Sequence, residues 1–172
     1  SAWAWPLVGA VVGAFGAALA SVALWLGVTP GVTAALVLSL GAMLTGGLHE
    51  DGLSDTADGL YGGWTKARRL EIMKDSRVGS YGVLALVLVT LARWSALTAL
   101  LVYGGPTHAH WAALVATGAL SRAPMALIMA LLPNARGEGL SHATGQPGTA
   151  VALAALGLSA GIAVLLTGLT GL

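Results

Sequence analysis

Residues Gly46 to Gly63 read GGLHEDGLSDTADGLYGG, and this stretch decides how the rest of the chain is read. Four of its eighteen residues are carboxylic acids, in a chain with only seven Asp and Glu in all. Asp51, Asp55 and Asp58 are spaced i, i+4, i+7. On a helix turning about 100° per residue, the three side chains fall within roughly 60° of arc. Like charges on one face repel, so the arrangement calls for a compensating cation, and a hard divalent ion with oxygen ligands is the simplest. An EF-hand does not fit, because its ligands recur at every second position. A solvated acidic face is the plain alternative. Against it stand the flanking glycines, the near absence of acids elsewhere and the adjoining apolar runs.

Working outward, the composition is that of a membrane protein. Hydrophobic residues make up 56% of the chain and charged residues 9%, with mean hydropathy +0.83, whereas soluble domains carry about a quarter charged residues. A formal net charge of +1 points neither to nucleic acid nor to an acidic partner. With no Cys, disulfides, a thiol nucleophile and thiolate metal sites are excluded. The chain opens without Met and without a basic leader, which reads as a processed or truncated form.

The expected fold class is an all-α, polytopic integral membrane helical bundle forming one domain over residues 1–172. About five spans are expected, near 6–27, 32–48, 81–103, 111–132 and 149–172. In the first, Gly9, Gly13 and Ala17 repeat at every fourth position, a pattern that lets helices approach closely in lipid. Trp3, Trp5 and Trp25 flank that span as an interfacial belt. Pro124, within the fourth, is expected to kink or break it. The polar catalytic segment is 46–80. Glu50 to Arg77 holds eleven of the fifteen charged residues, and Trp64 to Lys74 reads as a short amphipathic helix at the cytoplasmic surface, its cations facing lipid phosphates or substrate.

Lys66, Arg68, Arg69, Lys74 and Arg77 fall in one connection and Arg136 in another, while the two remaining connections carry no Lys or Arg. This bias places the N terminus and both polar connections in the cytoplasm. His49 adjoins the acidic motif on that side, as a base, a donor or merely a polar helix end. His142 shares the side, and His108 and His110 fall at the opposite interface.

Aspartates that hold Mg²⁺ beside Lys and Arg suit diphosphate chemistry: the metal bridges phosphate oxygens and guanidinium forks clamp others. Lys74-Asp75-Ser76-Arg77-Val78-Gly79-Ser80-Tyr81-Gly82, just before a helix, adds two cations, hydroxyls, two glycines and an anion-binding N-terminus. Arg93 and Arg122 lie inside spans, where a charge is costly. They line a polar cavity, or else they snorkel or pair with an acid such as Glu138.

GGLHEDGLSDTADGLYGG followed by RRLEIMKDSRVGSYGVLAL resembles the signature of the cobalamin synthase family, the adenosylcobinamide-GDP ribazoletransferases. The likeness is dense from Gly46 to Leu86, with weaker agreement at WPLVGAVVG, at Leu120-Ser121-Arg122 and at Ala135 to Leu140. It implies a multi-pass enzyme of a prokaryotic cytoplasmic (inner) membrane, with the active site facing the cytoplasm. Such an enzyme joins adenosylcobinamide-GDP to α-ribazole or its 5′-phosphate, releases GMP and requires Mg²⁺. A homo-oligomer is compatible with this reading, and nucleic acid is not a partner.

Carried over by motif, Asp51, Asp55 and Asp58 hold the metal. Glu50 is a further ligand, at a position where the family often has an apolar residue. Lys74, Asp75, Ser76 and Arg77 contact phosphate or order the metal site, with Arg69, Arg122 and Arg136 completing the substrate contacts. An Asp or His49 is the base. The family also carries a Thr-Arg-Leu-Pro-like stretch before the first span and a Gly-Gly-x-Thr-Gly-Asp-x-x-Gly-Ala motif near its end, neither of which this sequence contains. Two other classes share features with it: the CDP-alcohol phosphotransferases, whose Ala-Arg pair is here Ser54-Asp55, and Mg²⁺-binding transporter subunits, which intramembrane arginines suit badly.

Overall fold

The computed structural model describes residues 2–104 and 107–170, without the side chains at 107, 108, 140, 141, 169 and 170. Its described residues contain helices and no strands. A 3-10 turn at Ala2–Ala4 leads into α1 (Trp5–Trp25), α2 (Pro30–Leu44), α3 (Leu48–Gly62), α4 (Lys66–Ile72) and α5 (Ser80–Tyr103). Then follow α6 (Thr107–Leu120), α7 (Ala123–Leu131), α8 (Leu140–Thr144) and α9 (Thr149–Thr170). Among the described residues, four stretches are long and apolar enough to cross a membrane: Ala2–Trp25, Ser80–Tyr103, Ala109–Leu131 and Thr149–Gly168. The chain is thus an all-α, polytopic membrane protein. Its helices group into two compact units, Ser1–Val22 with Gly104–Leu172, and Ala23–Tyr103.

In the first unit, α9 packs on α6, α7 and the opening 3-10 turn. A small core of Ala2, Ala126, Ala152 and Ala155 is flanked by Trp5, Leu127, Ala130 and Val151. The small-residue repeat of α1 does what its spacing predicts. A Cβ on Gly9 would meet the carbonyl of Gly118, one on Gly13 would meet the carbonyl of Leu114, and Ala17 is fully buried. Backbone-to-backbone approach of this kind gives lipid-embedded helices their packing energy. Trp111 Nε1 donates to Ser21 Oγ at 2.9 Å on the same seam. Pro124 stands in the first turn of α7, where its missing N–H costs nothing, so the expected break falls at Ser121-Arg122. His110, expected at an interface, is buried; the side chain of His108 lies outside the described residues.

The second unit departs from expectation at its second span. α2 has only fifteen residues, roughly 22 Å of helix against a hydrocarbon core of about 30 Å. The chain then turns by 88° into α3, so a fifth span is present only if the bent pair counts as one. The cause is local. Gly46 and Gly47 have φ of +64° and +70°, a left-handed conformation that glycine adopts without a Cβ penalty. α2 and α3 both pack on α5, and α4 folds back on α3.

The run of α3 along α5 is given by a contact at each end. Glu50, in its first turn, pairs with Arg93 at 3.3 Å, and Asp58, near its end, bonds the backbone of Gly79 and Gly82. α3 therefore lies antiparallel to the N-terminal half of α5. Arg93 is fourteen residues into that 24-residue helix, roughly 20 Å from its start.

Candidate functional site

The acidic helix forms as its periodicity predicts, but its carboxylates do not converge. Among the described residues no three His, Asp or Glu side chains are grouped to hold a metal ion. Asp58 is 9% exposed and accepts hydrogen bonds from Gly79 N at 2.7 Å and Gly82 N at 2.9 Å. Those amides belong to the start of α5, whose first N–H groups have no partner within the helix. A carboxylate there satisfies two donors and sits at the positive end of the helix dipole. A Cβ on Gly79 would collide with Asp58, and one on Gly82 with Asp58 and Ser54. Glu50, for its part, is taken up by Arg93. Of the other two carboxylates expected to hold a metal, Asp51 is exposed and Asp55 is half-buried. His49 is exposed one turn before Leu53 on the same helix.

Beyond Asp58 lies a cavity of about 580 Å³. Its walls include Asp58 from α3, Arg68 and Glu71 from α4, Asp75 and Arg77 from the following loop, and Gly79, Ser80 and Tyr81 at the head of α5. α4 is held there by close packing and by caps. Thr65 Oγ1 accepts the Arg68 amide at 3.3 Å, as an N-cap does. The Gly59 and Gly63 positions lie flush against Met73 and Arg69. Tyr61 and Tyr81 stack across α3 and α5 with ring centroids 5.4 Å apart.

Two neighbouring arginines exchange their expected places. Arg69, expected among the substrate contacts, donates Nε to the Gly63 carbonyl at 2.8 Å and closes the α3–α4 turn. Arg68 lines the cavity instead, with Glu71 at 2.9 Å as its partner. Successive helical residues point about 100° apart, so a turn that claims one leaves the other for the cavity. Arg77 also lines it, forked onto Asp75: Nη2 lies 2.6 Å from Oδ2 and Nε 3.1 Å from Oδ1. This guanidinium holds the Asp75 carboxyl below its ordinary value of 3.8. Lys74 and Ser76 are exposed and outside the lining residues. Arg122 and Arg136 belong to the other unit, where Arg122 Nη1 donates to Ser121 Oγ at 2.7 Å.

Sequence reasoning placed Ser80 and Tyr81 in the expected anion-binding stretch but did not single out Arg68 from the cations of the amphipathic helix. The signal available for Arg68 was its place on the cationic face of the amphipathic helix.

Together these elements define a class: a polytopic all-α membrane protein in which an acidic helix is bonded to the head of an apolar one beside two arginines. The chain belongs to the cobalamin-5-phosphate synthase family, whose model matches residues 1–172. Among curated relatives, a protein of Bradyrhizobium diazoefficiens is 48% identical over 157 residues, covering 88% of this chain and 57% of the relative. One from Azorhizobium caulinodans is 48% identical over 165 residues, covering 96% and 62%. One from Brucella ovis is 40% identical over 168 residues, covering 98% and 64%. All three are named adenosylcobinamide-GDP ribazoletransferase. The chain thus spans about three fifths of the length of these relatives. No solved structure gives a significant match.

Proposed function

We propose that this chain carries the phosphate-handling part of a membrane transferase that joins adenosylcobinamide-GDP to α-ribazole or its 5′-phosphate, with GMP as leaving group. The observation that supports this most is the Asp58 joint. It brings the end of the acidic helix and the Arg68–Arg77 cavity to one end of α5.

The chemistry asks for two things, charge neutralisation at a diphosphate and an oriented hydroxyl nucleophile. Arg68 and Arg77 are the forks available for phosphate oxygens, each held by an acid that an incoming phosphate would displace. Ser80, at the head of α5, adds a hydroxyl. Asp58 orients that terminus. The ribose 3′-hydroxyl of α-ribazole attacks the cobinamide-side phosphorus, and an Asp or the exposed His49 takes its proton.

The donor set fits Mg²⁺, which is bound by one or two carboxylates and completed by substrate phosphates and water. Asp51 and Asp55, one turn apart on α3, are the carboxylates that would hold it. When bound, the ion would neutralise charge developing on the diphosphate. The proposed setting is a prokaryotic inner membrane with the Arg68–Arg77 cavity on the cytoplasmic side, as the basic connections favour.

The test incubates membranes carrying the full-length protein with adenosylcobinamide-GDP, α-ribazole phosphate and Mg²⁺, and follows corrinoid product and GMP. Mg²⁺-dependent product, abolished by Asp51→Ala with Asp55→Ala, is the expected outcome. A protein that makes no product overturns the reaction, and product that survives the double substitution overturns the metal site.

A further inference from the structure

A second cavity, about 430 Å³, lies on the α2–α3–α5 side of the second unit and is bounded by Ala35, Leu38, Glu50, Leu91, Arg93 and Trp94. The phosphate site makes no use of it. Its level is set by Arg93, just past the middle of a helix apolar and long enough to span a membrane. The α2–α3 elbow adjoins it, and irregular backbone at membrane depth occurs where it lines a cavity or is covered by protein. Trp94 Nε1 donates to the Gly31 carbonyl at 2.8 Å and fixes one wall.

The polar groups in this cavity have capacity left over. Arg93 Nη1 bonds Glu50 Oε1 at 3.3 Å, while Glu50 Oε2 is shielded and without a partner among the described residues. The Arg93 side chain remains 52% exposed, on a helix whose neighbouring Leu88 and Leu91 are exposed apolar groups. Spare guanidinium donors, their charge already balanced by Glu50, therefore face an apolar space. An anionic head would meet the Glu50 carboxylate close behind and a cationic one Arg93, whereas a carbonyl or hydroxyl oxygen accepts from a spare donor with no charge to desolvate. The volume falls within the range of small-molecule sites.

We infer that the Glu50–Arg93 cavity is a lipid-facing binding site for a neutral amphiphile from the bilayer, an apolar chain ending in an amide or hydroxyl group. The chain packs on Leu38, Leu91 and Trp94, and the head oxygen accepts from Arg93.

The experiment needs no transfer reaction, so its outcome is separable from that of the proposed activity. Full-length protein in phosphatidylcholine nanodiscs is titrated with radiolabelled oleamide, and with oleic acid and oleylamine as chain-matched anion and cation. Saturable oleamide binding, at least about tenfold tighter than either control, is expected. Ser39→Phe, at an exposed position on the cavity wall, and Arg93→Met should each weaken it by about tenfold. Val83→Phe, exposed on the same helix outside the cavity, should leave it unchanged. Non-saturable uptake, equal affinity for the three heads, or a loss in Val83→Phe matching that in Ser39→Phe would each overturn the site. Because Ser39→Phe leaves the ion pair intact, it decides the question even where Arg93→Met fails to fold.

Discussion

Where α1 meets α6, glycines take side chains away so that one backbone touches another. Where α3 meets α5, a carboxylate is inserted so that a side chain grips backbone amides. The first joint is made of absence, and its strength is dispersion between close-packed main chains. The second is made of charge, and its strength comes from satisfying N–H groups that the helix itself leaves open. Glycines occur at both, but at Gly9 and Gly118 they admit carbonyls, whereas at Gly79 and Gly82 they admit Asp58. Small residues in this chain therefore carry no single meaning; the partner decides.

Substitutions separate the two joints. The largest effect is expected for Asp58→Leu, which keeps the volume but strands two amides at the head of α5. A loss of about 3 kcal/mol follows from two buried, unsatisfied donors, read as the unfolding midpoint in detergent, together with a fall in transferase rate. If the midpoint stays put, the carboxylate is not what binds the helices. Gly118→Val attacks the other joint by overpacking and should cost about 2 kcal/mol; unaltered stability would show that α1 and α6 have room to spare.

A subtler contrast uses the adjacent arginines. Arg68→Ala should raise KM for the GDP-bearing substrate by about tenfold with little change in stability. Arg69→Ala should lower stability by about 1 kcal/mol, through its lost bond to Gly63, with KM nearly unmoved. The reverse pattern would restore Arg69 to the substrate site.

The smallest effect concerns Asp75. Its carboxyl is held below 3.8 chiefly by the hydrogen bonds from Arg77, so the stability it contributes is present above the unfolded value. It is lost as pH falls through the depressed folded value. The stability of Asp75→Asn should therefore fall less steeply than that of the parent protein as pH drops below 3.8. Parallel melting profiles for the two proteins would show that the fork contributes nothing.

Much of this was legible from residues alone, and for identifiable reasons. Gly9, Gly13 and Ala17 announce close packing because small residues at every fourth position have few other uses in lipid. The acidic helix, the amphipathic turn at 66–72 and the break before Pro124 each follow from periodicity or from proline's missing donor. The elbow between α2 and α3 was not legible, since hydropathy runs on through Leu48 and carries no direction; only the left-handed glycine pair marks it. The bond from Asp58 to the head of α5 was not legible either, because charge spacing relates side chains to one another and hides bonds to main-chain amides. The choice between Arg68 and Arg69 was equally hidden, as it depends on which of them meets the Gly63 carbonyl.

The glycines around α3 also set different limits on the alphabet each position can accept. At Gly46 and Gly47 the demand is angular, with φ positive and open space where a Cβ would stand; asparagine or aspartate, which tolerate that conformation, are partial substitutes. At Gly79 and Gly82 φ is not positive, and the demand is for an N–H with nothing beside it. Alanine fails there for its methyl and proline for its missing donor. A saturation library selected for folded protein would return a short menu at the elbow and a single letter at the head of α5.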